Sequence, residues 1–181
     1  LLTTKDSGID RFKKFENKKL MRTKDDGSEV SLKAMLSASK IDLKSITQVE
    51  HSHNIYDLIE KRVDIISAYT SKAPYILQKE GIEYNIFYPK DYGFDMYSDF
   101  LITNIDKYNN DYNIVEKFKK ASLKGWEYAY NNIEKSVDII FEKYNTQNLS
   151  KEELIFEANE LKKLSYLNIN PKEKLLNKIN V

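Results

Sequence analysis

Cysteine is absent from the 181 residues, which removes disulfides, thiolate metal sites and thiol nucleophiles. Glycine and proline are scarce, at 5 and 3, so the fold uses few special turns. An excess of charge of one sign is also missing, with 29 Lys+Arg against 28 Asp+Glu and no basic block. Non-specific nucleic-acid binding needs a concentrated cationic face, so no nucleic-acid partner is expected. No apolar run reaches bilayer-spanning length, and the first residues lack the basic, apolar, small order of a signal peptide. If the protein is exported, its targeting segment lies outside these residues. What is abundant is tyrosine, at 13, which with so few glycines suits a well-packed fold.

Apolar periodicity alternates between two and 3.6 along the first half. Lys19–Thr23, Ile46–Glu50, Val63–Tyr69 and Tyr84–Tyr88 read as strands. Val63–Tyr69 is apolar at nearly every position, as a strand buried on both faces should be. Between them lie helices. One carries Leu32, Met35 and Leu36 with Ser28 as N-cap, and one carries Ile55, Leu58 and Ile59 behind Asn54. A third lies between Pro74 and Gly81. This β-α-β-α-β-α-β order implies a parallel or mixed sheet covered by helices. After residue 104 no strong strand recurs. Ile114, Phe118, Ala121, Gly125 and Ala129 share one helical face, with Trp126 beside them as an expected core residue. Ile133, Val137, Ile140, Phe141 and Tyr144 share another, and Ser150 with Glu153 forms a capping box before a third helix. "YNNDYN", 108–113, reads as a solvated turn.

Several stretches in series resemble bacterial periplasmic solute-binding proteins of the thiamine-pyrimidine-precursor-like (thiamine biosynthesis-like) family: "DLIEKRVDIISAY", "DYGFDMYSD" and "ASLKGWEYA". The resemblance covers about residues 3–165. It implies an α/β, type II periplasmic-binding-protein-like fold, in which two lobes joined by two crossovers trap ligand in the cleft between them. On that map residues 1–18 end lobe one and make the first crossover, and 19–88 build α/β lobe two. Residues 89–104 cross back, and 105–181 form the helical part of lobe one. Relatives usually begin with a further stretch holding the first strands of lobe one, so the chain is expected to be one complete lobe plus a helical remainder.

Candidate ligand residues follow from this map. Gly27 and Ser28 open a helix at the carboxyl end of a strand, where backbone N–H groups favour an anion or carbonyl. Ser67, Tyr69 and Thr70 offer hydroxyls and Lys72 a cation. Relatives commonly carry Asn-Glu-Pro where this chain has Lys72-Ala73-Pro74, so a carboxylate acceptor is replaced by an ammonium. That disfavours an aminopyrimidine and favours a ligand with carbonyl oxygens or negative charge. Asp95 and Tyr97, in the return crossover, can accept hydrogen bonds and stack on a planar ring. The plain alternative makes these residues caps, hinge packing and solvated side chains. His51 and His53 alternate as a metal pair would, but no third ligand is nearby.

The function expected is non-catalytic, extracytoplasmic or periplasmic binding of a small polar or heteroaromatic solute. The chain would be the solute-binding protein of an ABC importer or the ligand-sensing domain of a membrane receptor. Partners would then be the small-molecule ligand with an ABC permease or membrane-anchored signalling domains, and a dimer could form through the incomplete lobe. No metal or other cofactor is expected. The alternatives are an enzyme related to pyrimidine-precursor synthesis, which in relatives uses a cysteine-rich iron motif missing here, and a protein-interaction module built on the helical half.

Overall fold

Leu20 and Met21 sit on a strand flanked on both sides, and each is buried in an apolar cluster on its own face of the sheet. The computed structural model describes residues 1–23, 28–94 and 101–166. They belong to two compact units, Leu1–Ser98 and Asp99–Val181.

The first unit contains β1 (Leu2–Thr4), β2 (Lys19–Arg22), β3 (Thr47–Glu50), β4 (Ile65–Ile66) and β5 (Tyr84–Ile86). Their order across the sheet is β3-β2-β4-β1-β5. β2 runs parallel to β3 and β4. β1 is antiparallel to both β4 and β5, so β5 points the same way as the parallel strands. Three helices intervene: α1 (Ser28–Ala38), α2 (Tyr56–Ile59) and α3 (Ala73–Lys79). Side-chain and turn chemistry marks the start of α2 and both ends of α3. Asn54 Oδ1 accepts from Tyr56 N at 3.0 Å, and Pro74 fits the first turn of α3, where its missing N–H is not needed. Gly81 ends that helix at φ +68, a left-handed conformation that suits a residue without Cβ. The α/β class expected from the sequence is the class observed.

Two apolar clusters sandwich the sheet. Phe12, Phe15, Leu20, Leu32, Met35, Leu36, Ile46 and Phe87 fill one face. Leu2, Met21, Leu58, Val63, Ile66 and Leu77 fill the other. Residues 1–18, expected to end lobe one and make the first crossover, contribute to this unit. They supply an interior strand and, through Phe12 and Phe15, part of a core. Phe15 and Phe87 meet edge to face at 5.1 Å, and Tyr92 meets Phe12 in the same way at 4.6 Å.

The second unit is helical: α4 (Ile105–Asn110), α5 (Tyr112–Asn131), α6 (Ile133–Lys143) and α7 (Lys151–Tyr166). The capping box is present, with Glu153 N donating to Ser150 Oγ at 3.2 Å and Ser150 N donating to Glu153 Oε2 at 2.8 Å. Two expectations fail here. The stretch 108–113 is helical apart from a break at Asp111. Asn104 Oδ1 caps the first turn of α4 by accepting from Lys107 N at 2.6 Å, and Lys107 Nζ pairs with Asp111 at 2.7 Å. Trp126 is 51% exposed rather than core; one turn on along the same face Tyr130 is buried, and its hydroxyl shares a hydrogen bond with Ser165 Oγ at 2.7 Å.

Candidate functional site

Four strands of the first unit end at one edge of the sheet, at Arg22, Glu50, Ile66 and Ile86. Open α/β sheets bind ligands beyond this carboxyl edge, where loops diverge and helices begin. Leu1 and Phe87 also lie here, exchanging backbone hydrogen bonds of 2.9 Å in each direction.

Four of the residues expected to bind ligand fall in one segment at this edge. Ser67 N donates to Met21 O at 2.9 Å, which fastens the segment to β2. Tyr69 O then accepts from both Lys72 N and Ala73 N, each at 3.2 Å, and the turn so formed leads into α3. This frame leaves the Tyr69 ring 69% exposed, with Ser67 and Thr70 half-buried and Lys72 exposed at the helix N-cap. The other expected residues are not placed. Gly27, Asp95 and Tyr97 lie outside the described residues, and Ser28 begins α1 with its side chain undescribed.

The sequence reading missed what holds this edge together. His51 follows β3, and its Nε2 lies 2.6 Å from Ser67 O. Its Nδ1 accepts from His53 N at 2.8 Å. A carbonyl can only accept, so Nε2 carries the proton and the ring is neutral. The two imidazoles stack, with centroids 4.6 Å apart and planes 21° from parallel. They do not share a strand face: β3 ends at Glu50, His53 has φ 59, and His51 spends both nitrogens on backbone groups. Among the described residues no group of three or more His, Asp or Glu could hold a metal ion. Alternating histidines were the available signal, but spacing alone does not distinguish a loop from a strand.

Beside them, Ser52 Oγ donates to Asp57 Oδ2 at 2.5 Å, and Arg62 Nε pairs with Asp57 Oδ1. The Ser52 hydroxyl and then the Arg62 guanidinium hold the Asp57 carboxyl below the usual carboxylate range. On β2, Arg22 is buried to 6% exposure, and its Nε donates to Gln48 Oε1 at 2.8 Å.

A surface hollow of about 380 Å³ lies at the opposite edge of the sheet, lined by Lys5, Gln78, Gly81, Ile82, Glu83 and Tyr84. Its polar groups already serve each other. Lys5 pairs with Glu83 at 3.1 Å, and Gln78 donates to the Tyr84 hydroxyl at 2.9 Å. The carboxyl edge, with an exposed ring and an exposed lysine on a fastened segment, is the better candidate.

Among the described residues no helix is long and apolar enough to cross a membrane. A search of curated proteins finds no match. The family model described as NMT1/THI5 like matches residues 1–136, three-quarters of the chain and parts of both units. The chain therefore belongs to the NMT1/THI5-like family, a membership that agrees with an extracytoplasmic solute-binding role.

Proposed function

We propose that this chain captures a small polar or heteroaromatic solute at the carboxyl edge of its sheet without transforming it. Ser67, Tyr69, Thr70 and Lys72 form one wall of the site. The observation that carries this reading is the Ser67–Lys72 segment itself. Backbone hydrogen bonds fix it at both ends while Tyr69 and Lys72 are exposed and Ser67 and Thr70 half-buried. Such a set suits a solute with mixed donors and acceptors. Asp95 and Tyr97 remain in the proposal as the sequence-based complement to that wall. An importer's binding protein and a receptor's sensing domain need the same capture step, so the reading covers both. Non-catalytic capture is supported by the absence of cysteine and by His51, whose engaged nitrogens leave it unsuited to act as base for a neighbouring serine.

The test is calorimetric titration of the protein with aminopyrimidines, zwitterionic amino acids and simple carboxylates. Loss of one buried hydrogen-bonding partner weakens binding by about 1–3 kcal/mol, roughly ten- to a hundredfold. Tyr69→Ala and Lys72→Ala should each weaken the solute that binds by that much, with the melting temperature of the empty protein unchanged. Unaltered affinity in both variants overturns the site. Iron-dependent turnover overturns the non-catalytic reading.

A further inference from the structure

One face of α5 is uncovered over most of its length. Ile114, Phe118, Ala121, Gly125 and Tyr128 recur at steps of three and four, so they line one side of the helix. All five are exposed, Phe118 to 60%. A Cβ built on Gly125 would meet nothing within 4 Å. The stripe runs for about 20 Å along the axis. Lys117, Lys120 and Lys124 follow at the same steps along one flank, and each is exposed. Trp126 stands at the other flank, also exposed. The acids of α5, Glu116 and Glu127, are half-buried on the far side. There Glu116 holds Lys119 at 2.7 Å and reaches Lys120 only loosely, at 3.9 Å.

We propose that this face of α5 lies against an anionic lipid surface, its apolar stripe at the headgroup boundary and its lysines among the headgroup charges. Interfacial helices have this make-up, with rings and aliphatics on one side and lysines beside them whose apolar stems reach along the surface. Tryptophan at the rim suits the same boundary. Shape and charge select this occupant. Exposure continues around α5 from Lys120, across the stripe, to Trp126, about two-thirds of the circumference. A ridge of that kind fits a plane, whereas two docked helices need a groove between ridges. Charge disfavours a second copy. Antiparallel pairing of two stripes would seat Phe118 in the open space at Gly125 of the other copy, yet it would also set Lys117 against Lys124 along one flank. A layer of phosphate headgroups neutralises that row instead. The inference concerns the helical unit alone and does not depend on the solute site.

The experiment is sedimentation of the whole protein with vesicles of phosphatidylglycerol and phosphatidylcholine in equal parts, and with vesicles of phosphatidylcholine alone. The only tryptophan is Trp126, so a blue shift of emission on adding vesicles reports burial at this face. Binding to the anionic vesicles should exceed binding to the neutral ones by about a hundredfold. It should weaken as salt rises from about 0.02 M to about 0.5 M. Lys117→Gln and Lys124→Gln should each lower the partition coefficient about fivefold, and Phe118→Ser about tenfold. These side chains are exposed, so the circular dichroism of each variant should match that of the natural protein. Equal binding to both vesicle types, or sedimentation with neither, overturns the proposal. So does anionic-vesicle binding that survives replacement of Lys117, Lys120 and Lys124 together. A dimer in solution that Lys124→Glu tightens also overturns it, because the face would then belong to a second copy.

Discussion

Replacing Thr3 by valine tests whether β1 is seated as an interior strand. Thr3 is fully buried and stands opposite Asn85 on β5. Its Oγ1 donates to Ile9 O at 2.7 Å. Asn85 Nδ2 donates to the same carbonyl at 3.0 Å and lies 3.4 Å from Thr3 Oγ1. Valine fills the space of threonine but cannot donate, and Ile9 O keeps its bond from Asn85. The single change should therefore cost about 1 kcal/mol, near the net worth of one hydrogen bond. Asn85→Ala should cost about the same, with Thr3 as the remaining donor. Making both changes strands a carbonyl of a residue that is 1% exposed, which adds about 1–3 kcal/mol for the orphaned group. The double variant should thus lose more than the sum of the singles, with a coupling of about 1 kcal/mol or more. For a unit of roughly 100 residues, each kcal/mol lowers the melting temperature by about 4–8 °C. The only tryptophan, Trp126, is in the second unit, so its fluorescence does not follow this transition. Urea-dependent hydrogen exchange in peptides spanning β1 and β5 does. Additive losses, or a neutral Thr3→Val, would refute the placement of Leu2–Thr4 between β4 and β5.

Asp57 contributes stability through an ionised carboxylate favoured by Ser52 and Arg62. With its folded value below the ordinary carboxyl range, that contribution is complete above about pH 4 and fades as pH falls through the lowered value. Asp57→Asn should therefore flatten the acid limb of the stability curve below about pH 4, and an unchanged acid limb would count against the pairing. In the second unit, Tyr130→Phe removes the hydroxyl bonded to Ser165 and should lower stability by about 0.5–1.5 kcal/mol. Trp126, whose ring centroid lies 5.5 Å from that of Tyr130, reports this by emission, and an unmoved urea midpoint would refute it.

Much of the fold was legible where composition and period agree locally. Lys19–Thr23, Ile46–Glu50 and Tyr84–Tyr88 each contain a strand, and the Asn54 cap, the Pro74–Gly81 bracket and the Ser150–Glu153 box are where their chemistry placed them. β4 is shorter than its apolar run, ending at Ile66, because Ser67 turns its carbonyl to His51 instead of continuing a ladder. β1 was not legible. Three residues are too few to display a period, and its partners are distant in sequence. The stripe of Ile114 and Phe118 was found on α5, yet both are exposed, since amphipathicity tells which residues share a face and not whether another element covers it. At the candidate site the residue types of Ser67–Lys72 were readable. The role of His51 was not, because it depends on two backbone groups that folding brings to one ring.

The antiparallel strand also bears on how the first unit assembles during synthesis. β2, β3 and β4 draw on residues 19–66, so their parallel pairing can close soon after that length of chain leaves the ribosome. β1 is made before the other four strands, yet its principal partner is β5, with Leu2 opposite Ile86. Closing a loop of that length is slow relative to local pairing. Until it closes, Ile66 and Leu2, both buried in the finished unit, lack the neighbours that cover them. The nascent chain consequently passes through an interval with an open β4 edge, and binding by holding chaperones should be greatest for chains that have emerged from the ribosome to between about residue 70 and residue 86.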